Sequence, residues 1–262
     1  MDLGIKGQTA FVSASSRGIG LAIARALAQE GARVAICGRD KQRLEEAYRK
    51  IVEQGGQCFS VQVDLEEESG ASTFFSKASE ALGDPQILVI NTGYPRPCYF
   101  EETIPEDFEK AFRTLLFPVQ GLIRHCVPAM KKQGYGRIVA IVSITAKAPI
   151  PSLVLSNAIR PGVLGLMKSL ATELAPFGIT VNSVCPGYHR TERLYSLAVE
   201  KAKASNKDPE DVLKEMASEV PMGRLGAPDE LAKFVTFLCS PVCSYLTGAV
   251  IQYDGGLYHG LI

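Results

Sequence analysis

The run Ser13-Ala14-Ser15-Ser16-Arg17-Gly18-Ile19-Gly20 decides how this chain is read. It closes the β-branched and apolar stretch TAFVSA and leads straight into a helical pattern. In that pattern Ile19, Ile23 and Leu27 share one stripe, with Gly20, Ala24 and Ala28 beside it. Strand, glycine turn and helix in this order aim backbone N–H groups at the positive end of a helix dipole, a ready site for a pyrophosphate. Ser13, Ser15, Ser16, Arg17, Gly18, Ile19 and Gly20 are therefore candidate binding residues. Glycine clusters also form ordinary tight turns, so the reading needs support from the rest of the chain.

Outward from this run, short β-branched stretches alternate with helical patterns: RVAIC, QCFSVQV, QILVIN, GRIVAIVS, ITVNSV and AVIQYD follow TAFVSA. Such alternation implies parallel strands joined by crossover helices. The expectation is an α/β, doubly wound parallel sheet of about seven strands in a three-layer α/β/α Rossmann fold. One domain over residues 1–262 accounts for the length. The rhythm breaks only from about Glu192 to Pro221, where LYSLAVEKAKA and PEDVLKEMASEV suggest a helical insertion. Beyond the carboxyl end of a strand such an insertion is either a lid over a ligand crevice or a surface excursion.

Lys plus Arg and Asp plus Glu number 28 each, so no net positive field favours nucleic acid or anionic lipid, and a small-molecule ligand is expected. The opening MDLGIKG has a charge at Asp2 and no long apolar run, so neither a signal peptide nor a membrane span is expected, and a cytoplasmic location follows. The seven cysteines are scattered among apolar runs and predict no metal site.

The second strand ends in Cys37-Gly38-Arg39. An acid there would accept from a ribose 2′-OH, whereas arginine pairs with a 2′-phosphate. Arg17, within the glycine turn, adds a second cation, so NADP(H) is expected in preference to NAD(H).

With these motifs in place the chain resembles a short-chain dehydrogenase/reductase over nearly its full length, near the 3-oxoacyl-[acyl-carrier-protein] reductase-like members. Ser13 to Gly20 is similar to that family's T-G-x-x-x-G-x-G, with Ala14 in place of the first glycine. Asp64-Leu65 resembles the pair that meets the adenine, and Asn91-Thr92-Gly93 resembles part of N-N-A-G, with Ile90 replacing the first asparagine. Pro186-Gly187 followed by Thr191 resembles the segment that contacts the nicotinamide amide, and Asp254-Gly255-Gly256 the closing signature.

The resemblance implies hydride transfer between nicotinamide and a carbonyl or alcohol, with a tyrosine as proton donor and a lysine four residues later lowering its pKa. Ser143 matches the catalytic serine. The tyrosine position, however, falls on Ser156, the lysine position on Arg160, and a supporting asparagine on Leu115. An aliphatic hydroxyl is a far weaker acid than a phenol, and a guanidinium supplies charge without passing a proton. Ser143 as hydrogen-bond donor and Arg160 as cation could still stabilise a developing oxyanion.

Tyr94, Tyr188, His189 and Lys147 are candidate substitute donors, although sequence proximity alone favours reading each as a pocket wall or a solvent-facing group. Pro118 is expected inside the helix bearing Leu115. Pro161, directly after Arg160, either kinks its helix or occupies a harmless first turn.

The leading expectation is an NADP(H)-dependent oxidoreductase with a non-standard proton donor. The alternatives are a degenerate NADP(H)-binding protein with a sensor or structural role, and non-redox chemistry such as dehydration. A homodimer or homotetramer is expected from the family likeness. The stripe Val163, Met167, Leu170 and Leu174 suits either that interface or the sheet core.

Overall fold

The computed structural model describes residues 1–261. Its elements are β1 (Thr9–Val12), α1 (Gly18–Gln29), β2 (Arg33–Gly38), α2 (Lys41–Val52), β3 (Gln57–Gln62), α3 (Gly70–Leu82), β4 (Ile87–Ile90), α4 (Pro105–Leu115) and α5 (Phe117–Gln133). They continue as β5 (Gly136–Ile141), α6 (Val154–Leu174), β6 (Ile179–Pro186), α7 (Glu192–Ser205), α8 (Pro209–Ser218), α9 (Pro228–Leu238) and β7 (Val250–Tyr253). The strands form one parallel sheet in the order β3-β2-β1-β4-β5-β6-β7. This is the seven-stranded doubly wound sheet expected from the alternating pattern. The order reverses between β1 and β4, which opens a crevice at their carboxyl ends.

Both faces of the sheet are dry, and successive residues divide between them. Ala10, Val12, Val34, Ile36, Ile87 and Val89 pack with α1, α2 and α9 on one face. Phe11, Ala35, Cys37, Leu88 and Ile90 pack with α3, α5 and α6 on the other. Val163, Met167 and Leu174 belong to this second core with Leu170 packed against it, so the α6 stripe faces the sheet. Burying a side chain of this size is worth about 1.5–3 kcal/mol, which fixes the rotation of α6 about its axis.

Two proline expectations are resolved. Leu115 ends α4, and Pro118 sits in the first turn of α5 rather than inside the helix that bears Leu115. A proline at 118 has no N–H for the carbonyl four residues back, so the chain breaks at Leu116 and restarts. Pro161, in contrast, lies well inside the continuous helix α6, which removes the harmless first-turn alternative.

Past β6 the chain enters α7 and α8, which build a small core of their own from Leu194, Leu197, Ala198, Val212 and Met216. Thr191 caps α7 by accepting from the Leu194 N–H at 3.2 Å, so this segment is anchored at the mouth of the crevice. Among the described residues no helix is long and apolar enough to cross a membrane, and no group of His, Cys, Asp or Glu is arranged to hold a metal.

Candidate active site

A cavity of about 620 Å³ opens at the carboxyl ends of β1, β2, β4, β5 and β6, from Arg39 at one end to Ser143, Ser156 and Arg160 at the other. Its floor is the turn into α1. Ala14 takes a left-handed φ of +43°, a conformation that costs a non-glycine residue energy. The structure recovers some of that, because the Ala14 carbonyl accepts from Asn91 Nδ2 at 3.0 Å. Gly20 has no alternative residue: a Cβ there would stand 2.5 Å from the Ala14 oxygen. This contact requires glycine at position 20.

The hydroxyls of Ser13 and Ser15 are spent on backbone. Ser13 Oγ donates to Asn91 O at 2.6 Å and Ser15 Oγ donates to Val12 O at 2.7 Å, both from fully buried positions. They shape the turn from behind, as Gly20 does, while Ser16, Arg17, Gly18 and Ile19 line the cavity. No side chain caps the start of α1, so its first N–H groups face the cavity without a side-chain acceptor.

At the far end Arg39 lies 3.5 Å from Glu66 and 3.7 Å from Asp64. Arg17 pairs with Glu192 at 2.7 Å and donates to the Tyr94 hydroxyl at 3.1 Å. Arg43 reaches the same Glu192 oxygen at 3.3 Å, so the first residue of α7 ties the insertion to the glycine turn and to α2. Arg43 escaped the sequence reading because helix α2 had no motif; only its position one turn beyond Arg39 could have signalled it. Arg193, also missed, stacks on the Tyr94 ring with its guanidinium carbon 3.8 Å from the centroid.

The residues expected to carry chemistry are brought together. Ser143 accepts from the Thr145 N–H at 3.1 Å, which leaves its own hydroxyl hydrogen free. Ser156 Oγ lies 3.2 Å from Thr145 Oγ1 and accepts from Arg160 Nε at 2.9 Å. Arg160 Nη1 donates to the Val142 carbonyl. Burial pulls the Arg160 pKa down to about 10, and the Arg193 charge adds to the effect. At neutral pH Arg160 is still a cation. Leu115 is buried with Cys98, Ala111, Leu155 and Ile159 and contributes packing only.

The substitute donors separate. Tyr188 donates to Glu219 at 3.2 Å, and burial with that carboxylate pushes its pKa up to about 12. The Lys147 ammonium sits 5.0 Å over the Tyr258 ring. Tyr94 and His189 do line the cavity. His189 Nδ1 is 3.2 Å from the Gly187 carbonyl, which only accepts, so Nδ1 carries the proton. Burial holds the His189 pKa below its ordinary value, and the neutral ring then leaves Nε2 as a bare acceptor with no partner among the described residues. Pro186 and Gly187 complete the wall. Gly187 is pressed against Asp254, where a Cβ would come within 2.7 Å of the aspartate side chain.

A family model described as enoyl-(acyl carrier protein) reductase matches residues 13–258. The 3-oxoacyl-[acyl-carrier-protein] reductase of Aquifex aeolicus is 32% identical over 259 residues, covering 98% of this chain and all of that protein. The crystal structure of L-sorbose reductase from Gluconobacter frateurii, complexed with NADPH and L-sorbose, superposes with a TM-score of 0.95 at 33% identity over the whole of both chains. An NADPH-bound short-chain oxidoreductase from Pseudomonas aeruginosa, described as containing an atypical catalytic center, matches at 32% identity and a TM-score of 0.87 over 97% of each chain.

Proposed function

The chain belongs to the short-chain dehydrogenase/reductase family, and from that premise we propose that it is an NADP(H)-dependent oxidoreductase acting on a small carbonyl or hydroxyl compound through a non-standard proton path. NADPH-complexed neighbours at about a third identity support the cofactor assignment. The residues present fit that cofactor: the open start of α1 suits a pyrophosphate, and Arg17 and Arg39 suit a 2′-phosphate. Asp64 and Leu65 would bound the adenine, Asn91, Thr92 and Gly93 the adjoining ribose, and Pro186, Gly187 and Thr191 the nicotinamide amide. When bound, the cofactor supplies the hydride.

The observation that carries the chemistry is the cluster of Ser143, Ser156 and Arg160 at one end of the cavity. Ser143 has a hydroxyl hydrogen to donate to a substrate oxygen. Arg160 supplies a fixed positive charge where that oxygen becomes negative, an arrangement worth about 2.7–4 kcal/mol per donor in oxyanion sites. Ser156 holds the guanidinium through its lone pair. With Tyr188 turned to Glu219, His189 Nε2 unprotonated, the Lys147 ammonium drawn over the Tyr258 ring and Tyr94 engaged by Arg17 and Arg193, we take water entering the cavity as the proton source. Forgoing a positioned acid slows turnover by about 100- to 10,000-fold.

In this reading α7 and α8 act as the lid of a single domain. The exposed rings of Phe112 and Phe117, in contact with each other, favour association into a homodimer or homotetramer. The decisive experiment follows NADPH absorbance with a panel of aldehydes and ketones, alongside calorimetry of NADPH and NADP⁺. Tight NADPH binding with loss of absorbance is expected; binding without turnover across the panel, and none for alcohols with NADP⁺, defeats the redox reading.

A further inference from the structure

Five guanidinium groups line the cavity, those of Arg17, Arg39, Arg43, Arg160 and Arg193, against four carboxylates, those of Asp40, Asp64, Glu66 and Glu192. The carboxylates are all committed at the nucleotide end. Asp64 and Glu66 face Arg39, Glu192 bridges Arg17 and Arg43, and Asp40 lies 3.7 Å from Arg43. Arg160 and Arg193 are left with no carboxylate at ion-pair distance among the described residues. Burial pulls both pKa values down; Arg160 also feels the Arg193 charge, whereas Tyr94 and Glu200, the latter beyond ion-pair distance, partly offset the burial of Arg193.

Arg137 shows what an arginine looks like when this fold needs one for structure. It is also buried, but its nitrogens donate to the carbonyls of Gly136, Gly178 and Ser240, and it stacks on the Tyr135 ring. Arg160 is 9% exposed and has only the Val142 carbonyl and the Ser156 hydroxyl, while Nη2 has no hydrogen-bond partner among the described residues. An incompletely bonded, unpaired cation in a low-dielectric wall is destabilising by itself, and its natural complement is an anion that arrives with the ligand. Nη2 keeps its N–H donors for a charge-assisted hydrogen bond to a carboxylate.

We infer that the substrate is a short oxo acid or the corresponding hydroxy acid, its carboxylate held by Arg160 with Arg193 completing the cationic wall and its keto oxygen on Ser143. This rests on the oxidoreductase reading above. In the reduction a hydride forms the new C–H bond at the keto carbon, the carbonyl π pair passes to oxygen, and that oxygen takes a proton from water. The carboxylate is unchanged, so its contact with Arg160 serves selection and orientation, while the positive charge of the same guanidinium still favours the alkoxide that develops on the keto oxygen beside Ser143.

The test uses the wild-type protein with NADPH and pairs of 2-, 3- and 4-oxo acids with their methyl esters. At least one acid is expected to exceed its ester by 10-fold or more in kcat/KM; esters equal to or better than every acid overturn the inference. A separate measurement titrates malonate and succinate, which cannot be reduced, into the NADP⁺-loaded protein by calorimetry. Dicarboxylate binding in a protein that reduces nothing keeps the anion site and sinks the redox reading; reduction of neutral ketones with no dicarboxylate binding does the reverse. In Arg160→Met the dicarboxylate signal is expected to vanish while NADP⁺ affinity changes by less than threefold, and Arg160→Lys restores part of it. A variant that loses NADP⁺ affinity instead, with dicarboxylate binding intact, assigns the arginine to the cofactor and overturns the proposal. Arg193→Leu, on the more exposed α7, is a second route to the same loss should Arg160→Met fail to fold.

Discussion

Arg160 Nε donates to Ser156 Oγ at 2.9 Å, one helical turn apart on α6, at the two positions where the family's resemblance led us to expect a lysine and a tyrosine. The bond makes Ser156 an acceptor tied to a cation, so its hydroxyl is a support for the guanidinium rather than the acid of the site. The buried charge is poorly compensated inside the protein, and this sets stability against function. Replacing such a charge with an apolar side chain of similar size is often neutral or stabilising by about 1–4 kcal/mol. Arg160→Met is therefore expected to leave Tm unchanged or raise it while lowering kcat/KM about 100-fold or more, as for loss of an oxyanion donor. Thermal melts and steady-state kinetics on one preparation check both signs.

Arg17 and Arg39 stand at the nucleotide end with exposed side chains. Each charge-assisted bond to a 2′-phosphate contributes about 1.5–3 kcal/mol. Arg17→Ala and Arg39→Ala are expected to weaken NADPH binding by about 10-fold or more each. NADH affinity should stay within about twofold, as calorimetry with both cofactors would read.

Glu192 pairs with both Arg17 and Arg43, so in the proposed cofactor site it would compete with the phosphate for these cations. These pairs are solvent-exposed, so their breaking costs only about 0–1 kcal/mol apiece. Glu192→Gln is expected to tighten NADPH binding by about two- to fivefold and to accelerate its association, an effect that fades at high salt. Equal affinity at low and high salt would show that the carboxylate does not compete.

His189 is buried, and its folded-state pKa lies below the ordinary 6.5. Below pH 6.5 the unfolded chain therefore binds a proton that the folded one resists, and stability is lost as pH falls from that value. One such proton gives a slope of at most about 1.4 kcal/mol per pH unit. Urea melts between pH 7 and 5 should show the decline, and His189→Gln should flatten that part of it.

Pro161 is exposed in the middle of α6 and deprives the Asn157 carbonyl of its helical donor. Interior proline costs a helix about 3 kcal/mol, partly offset by a stiffer unfolded chain. Pro161→Ala is expected to stabilise the protein by about 1–3 kcal/mol, measured from the denaturant midpoint at constant m-value.

The parallel sheet, its strand count, the glycine turn and the crevice beyond it were legible in the sequence. Each is set by local chemistry: apolar runs that alternate between two buried faces, and glycines where a Cβ would strike backbone, as Gly20 shows against Ala14. The side chains at the chemical positions were identified differently, through the resemblance to the short-chain dehydrogenase/reductase pattern. Their charge balance could not be identified either way, because electrostatic partners are chosen in space. Only the fold brings Glu192 to Arg17 across 175 positions and turns Tyr188 toward Glu219. Only the fold leaves Arg160 buried without an acid, because a guanidinium's meaning depends on which carboxylates the surrounding walls hold within about 4 Å and which they have already used elsewhere.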